Sequence, residues 1–479
     1  MKNARADDWR RRLDTKSGEW GTKLSLFSFD EVSGLGSGVV EFDGPLTIVT
    51  GPNGVGKSTL MHVLQTALKP ELGLDVIAAD PKILAGELSV SGLALGAEFE
   101  NKVSIKGGGI VGSSTLPEEI EVSYVDCTRD AVGLRAKFLA FENLDDLTNG
   151  VSAIELDPAR LASISSIVRR DYRAIRMYEV EVDGFVPFFE VSYGDNQYDS
   201  RSMGDGELSA FYVWWKLERS TEGSILLLEE PEAFLSVACQ RALVDHLNMT
   251  LVEKKVCAVV ATHSPVFILN VNDGAWRFLS RGSGGVEFVN GVAPPALLQS
   301  VGIEFPKTVT VFVEDLAAEA MARFVLERLE PRLCRSIIFD IRAGHGGIVT
   351  ALDSVVDLKL PCTCIGLFDG DMRDKIPERV APRSTFLPGT NSIEMAFSQI
   401  VQEKFEELAE IFGKPDLKAI LNTLEGTDPH DWFAGLAREV GLSKEQLFFP
   451  IFRLWIEKPE NLKGATEMAD AITALVTSS

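Results

Sequence analysis

The sequence predicts an α/β chain, in which a mostly parallel, covered sheet around a phosphate-binding loop is followed by a small α/β domain and a helical segment. Three observations carry this. Short, fully apolar runs alternate with amphipathic helical stretches, as buried parallel strands alternate with crossover helices. A Gly-rich loop, Gly51-Pro52-Asn53-Gly54-Val55-Gly56-Lys57-Ser58, separates one such run from a helix. Acidic residues follow strand-like runs at Glu229-Glu230, at Glu314 and at Asp369-Gly370-Asp371.

With 479 residues there is chain for two or three domains of roughly 150 residues each. A hydrophobic share of 45%, with 41 Gly and 21 Pro, suits a globular α/β protein with a sizeable core. No apolar run reaches the ~18 residues of a membrane helix. Met1 to Arg12 is polar and charged, so no secretory signal is expected and the cytoplasm is the expected compartment. The net charge of −23 argues against a generic DNA coater, since Lys and Arg drive non-specific duplex binding. Basic clusters at Arg10-Arg11-Arg12 and at Arg169, Arg170, Arg173 and Arg176 suit solvated helix faces at least as well as nucleic acid. Of the six Cys, Cys362 and Cys364 stand two apart in a strand-like run and share a face. They read as a thiol pair or as two buried thiols of a reduced compartment, and no Cys or His spacing suggests zinc.

Residues 24–50 alternate and then run apolar to Leu46-Thr47-Ile48-Val49-Thr50, as strands ending at a Gly-rich turn. Lys57 to Leu68 has helical spacing and stops before Pro70. Residues 70–120 are Gly- and Ser-rich with short strand-like runs. A helix is expected over Pro158 to Arg176, with Pro near its first turn, then a strand over Phe188 to Tyr193 and a helix over Gly206 to Leu217. Ser224 to Leu228 and Val256 to Ala261 are buried-type strands. A second unit begins near Pro306, with strands at 308–313, 337–341, 364–368 and 385–387 and helices at 316–329 and 348–358, a βαβαβ pattern. Boundaries are expected at 303/304 and 400/401, the last stretch being helical.

The loop matches G-x-x-x-x-G-K-[ST] in the context such a loop requires, after a strand and opening a helix. Backbone amides of Asn53, Gly54, Gly56 and Thr59 are placed to cradle phosphates at the helix N-terminus. Lys57 supplies a point charge for the terminal phosphates of ATP, and the Ser58 hydroxyl a ligand for Mg²⁺. Downstream, Ile225-Leu226-Leu227-Leu228 delivers Glu229 and Glu230 at the end of a buried strand. Glu229 suits a water-mediated Mg²⁺ ligand and Glu230 a general base for the attacking water. His263, after the next strand, suits a position near the γ-phosphate.

These motifs resemble the ABC-type P-loop ATPases of the SMC/Rad50/OLD group over residues 24–290. The resemblance implies a homodimer or higher oligomer, in which a signature loop of one ATPase head closes on the nucleotide of another. The candidate loop is Ser202-Met203-Gly204-Asp205-Gly206-Glu207. Two registers stay open: pairing Gly206-Glu207 with the family's Gly-Glu puts Gly204 at the signature serine, whereas pairing Ser202 puts Asp205 at the acidic position. No glutamine takes the family's Q-loop position, and no long heptads mark an SMC arm.

In the second unit, Glu314-Asp315 after one strand and Asp369-Gly370-Asp371 after another supply hard oxygen ligands from strand ends. If the second strand stays extended, Asp369 and Asp371 face one side, and Gly370 admits a close approach. The order resembles the TOPRIM domain, and an ABC head followed by TOPRIM is the OLD-family arrangement. Gly344-His345-Gly346-Gly347 fits that domain's Gly-rich loop and Glu394 its late acid. The resemblance implies a Mg²⁺ or Mn²⁺ site of Glu314, Asp369, Asp371 and Glu394, nucleic-acid cleavage and a part in defence against phage. The chain departs from the pattern where Asp315 replaces the usual Gly and where Ala318 stands at the second acid, with Glu319 one residue on. Two rivals remain, an ATPase scaffold that recruits or restrains a separate effector protein and a DNA-repair ATPase.

Overall fold

The apolar runs of the first half line up as one six-stranded sheet: β1 (Leu46–Thr50), β2 (Val122–Asp126), β3 (Ile225–Glu229), β4 (Cys257–Ala261), β5 (Trp276–Arg281) and β6 (Val286–Asn290). The computed structural model describes residues 8–13, 17–74, 82–107, 109–141, 143, 147–182, 184–282, 285–290, 298–299, 302–303, 306–358, 360–390, 392–427 and 429–477. The strand order is β6-β5-β1-β4-β3-β2. Neighbours are parallel except β5 and β6. Every residue of β1, β3 and β4 is buried. Successive strand side chains point to opposite faces, so both faces of these strands are covered and the sequence shows no polar alternation. Each buried aliphatic side chain there contributes about 1.5–3 kcal/mol relative to exposure.

Parallel pairing also sets the register of the strand ends. Glu229 lies abreast of Asp126 on one side and of Ala261 on the other, and Ala261 abreast of Val49. The segments that follow β1, β2, β3 and β4 therefore leave the sheet along one edge. Helix α1 (Lys57–Leu68) starts a few residues after β1 and buries ten of its residues, among them Leu60, Met61, Val63 and Leu64. At its far end the Asn101 amide donates to the carbonyls of Ala67 (3.0 Å) and Leu68 (3.2 Å), satisfying two of the terminal acceptors.

Two antiparallel sheets complete this unit. One comprises Gly36–Glu41, Lys23–Val32, Ala85–Ala94, Ala97–Lys106 and Gly109–Ser113. The stretch expected to hold only short strand-like runs thus forms ten-residue strands paired throughout, because the ladder of Ala85–Ala94 with Ala97–Lys106 outweighs the low strand propensity of Gly86 and Gly92. The other sheet comprises Asn196–Asp199, Phe185–Tyr193, Tyr172–Glu181 and Ile154–Glu155.

Here the structure corrects the helix expected over Pro158 to Arg176. Helix α2 (Pro158–Val168) is capped by the Asp157 side chain and stops at Arg169, which turns left-handed at φ 62°. Tyr172–Glu181 is a strand paired with Phe185–Tyr193, and that pairing decides its conformation. The basic cluster is consequently split and paired: Arg170 with Glu207 at 3.0 Å, Arg173 with Asp195 at 3.5 Å, Arg176 with Glu190 at 2.8 Å. Helix α3 (Asp205–Arg219) precedes β3, and α4 (Val237–Lys254) joins β3 to β4.

The chain divides into two units, Met1–Ile303 and Glu304–Ser479. The second is a four-stranded parallel sheet of β7 (Val309–Val313), β8 (Ile337–Ile341), β9 (Thr363–Phe368) and β10 (Ser384–Phe386), in the order β8-β7-β9-β10. Helix α5 (Leu316–Leu329) is capped by the Asp315 carboxylate, which accepts from the Ala318 amide at 2.8 Å. Helix α6 (Gly344–Val355) begins earlier than its apolar spacing suggests, so Gly344-His345-Gly346-Gly347 forms its first turn. Helix α7 (Ile393–Glu403) is capped by Ser392. The helices after it share one apolar core with the sheet, in which Val311 and Val313 cluster with Leu436, Ile451, Trp455 and Ile472. Among the described residues no helix is long and apolar enough to cross a membrane.

Candidate functional site

The loop after β1 turns at Gly54 and Gly56, whose φ values of 75° and 115° favour glycine. A Cβ on Gly54 would meet nothing within 4 Å, so the loop is open there, while one on Gly56 would meet Leu35. No side-chain hydrogen bond caps the start of α1, the setting in which helix N-termini receive anions. Lys57 Nζ lies on the loop's own carbonyls, 3.0 Å from Gly51 O and 3.2 Å from Pro52 O. Burial lowers its pKa to about 8, against the pull of Glu230, Glu229 and Glu232. Asn53 and Ser58 are exposed and Thr59 is buried. The open cradle, the uncapped helix start and a cation facing three carboxylates suit a nucleotide phosphate with Mg²⁺: the loop and Lys57 meet the anion, Ser58 offers the metal an oxygen donor, and Glu229 offers one through water.

Glu229 ends β3 and is 7% exposed. Its Oε2 accepts a hydrogen bond from the Tyr124 phenol, whose oxygen is 3.1 Å from His62 Nε2. Burial and the Glu229 charge raise the phenol's pKa, so it stays a donor. Glu230 has φ 46°, a left-handed backbone that few non-Gly residues adopt, and its amide N–H donates a hydrogen bond to Ala261 O at 2.8 Å. Glu232 ties this turn to the next strand end: its Oε1 accepts from Thr262 Oγ1 (2.5 Å), the His263 amide (2.9 Å) and the Ser264 amide (3.1 Å). His263 Nε2 is 3.7 Å from Glu230 Oε1. Burial and the Lys57 charge lower the His263 pKa, favouring the neutral imidazole. Glu229, Glu230 and His263 are thus gathered beside Lys57.

The loop at Ser202 to Glu207 has two faces. Ser202, Gly204 and Asp205 are exposed, and Asp205 pairs with Arg135 at 2.6 Å. Gly206 packs so closely under the Phe234 carbonyl that a Cβ would collide with it. Glu207 is buried and accepts from Tyr172 and Tyr198, each at 2.5 Å, and from Arg170 at 3.0 Å. Its carboxylate is committed within the subunit and anchors the loop.

In the second unit β9 ends at Phe368, and Gly370–Met372 forms a 3-10 turn. Asp369 and Asp371 therefore do not share the face an extended strand would give them. Asp369 is half-buried, whereas Asp371 is exposed and lies 3.4 Å from Lys375. The close approach at Gly370 is made by the chain itself, since a Cβ there would collide with the Gly389 carbonyl. Burial and the charges of Glu314, Asp315, Glu394 and Asp371 push Asp369 up to about 7. Burial also raises Glu314, with Asp315 and Asp371 adding to the shift and His345 opposing it. Glu314 Oε1 is buried without a hydrogen-bond partner, and Glu394 is buried at the start of α7. The orphaned oxygen and the mutual repulsion suit a divalent cation. Among the described residues, however, no three His, Cys, Asp or Glu side chains close to a ligand set.

Residues 124–270 match the family described as "AAA domain, putative AbiEii toxin, Type IV TA system". Over that stretch the chain is similar to an ATPase-domain family. The match takes in the end of β2 from Tyr124, the Ser202–Glu207 loop, Glu229, Glu230 and His263, and the Gly-rich loop lies upstream of it. Among solved structures, the SMC head domain from Thermotoga maritima aligns at 11% identity and a TM-score of 0.38, covering 57% of this chain and 100% of that one. An Smc head domain bound to the C-terminal domain of ScpA, from Pyrococcus furiosus, aligns at 11% identity and 0.38, covering 56% and 96%. A further SmcHead, bound to the C-winged helix domain of ScpA, aligns at 13% identity and 0.37, covering 58% and 99%. No curated protein matches the chain.

Tyr124 and His62 of the first unit belong to no sequence motif, and Glu232 belongs to the acidic motif after β3 without a role read from it. Tyr124 belongs to a strand whose role depends on its pairing with β3. His62 follows Ser58 by one helical turn, a spacing that does put both on one face of α1. Glu232 lies in the acidic turn, and only the fold of Thr262 to Ser264 shows what it holds. Asp126, abreast of Glu229, accepts at Oδ1 from the Thr128 amide and hydroxyl.

Proposed function

We propose that the first unit binds and hydrolyses ATP with Mg²⁺, in the manner of ABC/SMC-type heads. The observation that carries this is the set of groups around Lys57, an open Gly-rich loop on an uncapped helix facing Glu229 and Glu230, with His263 3.7 Å from Glu230. Lys57 and the amides of α1 take the phosphates. Glu230 accepts the proton of the attacking water, and neutral His263 beside it offers a hydrogen bond towards the γ-phosphate. Ser58, and Glu229 through water, would hold Mg²⁺, which would supply neutralising charge at the phosphate oxygens. ATP joining two copies through the exposed face of the Ser202–Glu207 loop accords with the SMC/Rad50/OLD resemblance. The test is a calorimetric titration of ATP. Lys57→Ala removes the phosphate charge and loses binding with the fold intact, and unchanged affinity refutes the assignment.

A second reading concerns Glu314, Asp369, Asp371 and Glu394. Their mutual repulsion, with Asp369 raised to about 7, favours a TOPRIM-like centre for Mg²⁺ or Mn²⁺. Such a metal would stabilise the charge that develops when a DNA or RNA phosphodiester is cut. Asp371 would have to leave Lys375 to join the set. The OLD-like resemblance favours a role in anti-phage defence. In the rival reading the second unit binds a separate effector and cuts nothing.

A further inference from the structure

We infer that Tyr124, backed by His62, is a positioning residue that aims the Glu229 carboxylate at the metal of the bound nucleotide. This rests on the ATPase reading above. Glu229 is 7% exposed, so its oxygens have little water to orient them, and a buried carboxylate needs fixed donors. The Tyr124 phenol bonds Oε2. An ionised carboxylate only accepts, so the phenol spends its one hydrogen on Glu229. His62 Nε2, 3.1 Å from the phenol oxygen, must then carry its own hydrogen and donate to Tyr124. The chain runs in one direction, from imidazole N–H to phenol oxygen and from phenol O–H to carboxylate. It occupies Oε2 and leaves Oε1 to serve the metal site.

The geometry also links the two metal donors. His62 lies one turn beyond Ser58 on α1, while Glu229 approaches from β3. Tyr124 stands on β2, whose register puts Asp126 abreast of Glu229. The phenol therefore bridges the helix that offers Ser58 and the strand that offers Glu229. The imidazole and phenol rings hold each other at 5.3 Å between centroids with 52° between planes. Outer partners of this kind fix the orientation of a ligating side chain, and losing one typically costs 10–100-fold in metal affinity or activity.

The test uses the full chain in a Glu230→Gln background, which keeps ATP in place. Mn²⁺ is titrated into the ATP complex and read by electron paramagnetic resonance. Tyr124→Phe keeps the ring and deletes the hydroxyl. It is expected to weaken Mn²⁺ roughly tenfold or more, while ATP affinity measured in EDTA and the melting temperature stay near the parent values. On the native Glu230 background, the same change should raise the Mg²⁺ concentration for half-maximal hydrolysis. His62→Gln, which still carries an N–H donor, is expected to be milder than His62→Leu, and this pair decides the matter if Tyr124→Phe does not fold. Equal Mn²⁺ affinity in Tyr124→Phe and parent, or equal effects of the two His62 changes, overturns the inference alone. A parent chain that binds no ATP overturns the ATPase reading and this inference together.

Discussion

Glu229, Glu230 and Glu232 share one short stretch of chain and meet three different surroundings. Glu229 is buried under Tyr124, Glu230 sits on a left-handed backbone beside His263, and Glu232 is spent on the amides and hydroxyl of the Thr262–Ser264 turn. Their roles should separate accordingly. Glu230→Gln preserves shape and removes the base, so turnover should fall by about 10²–10⁴ while ATP affinity holds. Gel filtration with ATP and Mg²⁺ should then reveal a longer-lived head dimer, and wild-type turnover in the variant refutes the role. A second residue-scale expectation concerns stability. His246 is buried, with Nδ1 3.2 Å from Ser163 Oγ, and burial together with the Lys254 charge lowers its pKa to about 4 despite Glu218 at 3.9 Å. The unfolded chain takes up a proton at an ordinary pKa near 6.5 and the folded chain does not, so stability falls as the pH drops from about 6.5 to about 4. The loss should be on the order of 3 kcal/mol, and the slope of melting temperature against pH across that window should flatten in His246→Gln. An unchanged slope removes His246 from the account.

At the scale of elements, pairing overrides local pattern in both directions. Arg173 and Arg176 have helical spacing yet lie on a strand, because Tyr172–Glu181 finds a partner in Phe185–Tyr193. Asp369 and Asp371 have strand spacing, yet Asp369 precedes and Asp371 lies in a 3-10 turn, because the β9 ladder ends at the pair of Phe368 with Phe386. The same dependence makes the start of α3 sensitive. Gly206 passes directly under the Phe234 carbonyl, so Gly206→Ala must displace either α3 or the turn that carries Phe234. The expected cost is about 1–3 kcal/mol of stability, as for overpacking elsewhere. With it should come a loss of ATP-dependent dimerisation, since the exposed residues Ser202 and Gly204 move with the helix. Native-like dimer formation in Gly206→Ala, measured by light scattering, refutes the link.

For the whole molecule the separating feature is that each unit has its own core. One apolar cluster runs from Leu24 to Val286 and another from Val309 to Ile472. The two candidate sites lie in different units, so their losses should not travel together. Asp369→Asn keeps an oxygen and removes a charge. It should abolish metal-dependent cleavage of plasmid or single-stranded substrate and leave ATP hydrolysis at the parent rate. Cleavage that persists in the variant locates the activity elsewhere. No cleavage by the wild-type chain with Mg²⁺ or Mn²⁺, with or without ATP, favours the effector-binding rival.

The amino-acid sequence alone determined what depends on near neighbours. The Gly-rich loop and its helix are legible because glycine, lysine and serine must stand in a fixed local order for backbone amides to reach a phosphate. The strand ends at Glu229 and Glu314 are legible because strands buried on both faces read as unbroken apolar runs. Tertiary structure decided what depends on distant partners. It split the Arg169–Arg176 cluster among Glu207, Asp195 and Glu190, and it enclosed Glu207 between Tyr172 and Tyr198. It also brought Tyr124 and His62, which lie 62 residues apart in the chain, to one hydrogen-bond distance beside Glu229. A side chain's role in a buried site is set by the charge and donors that surround it in space, and spacing along the chain carries no record of those neighbours.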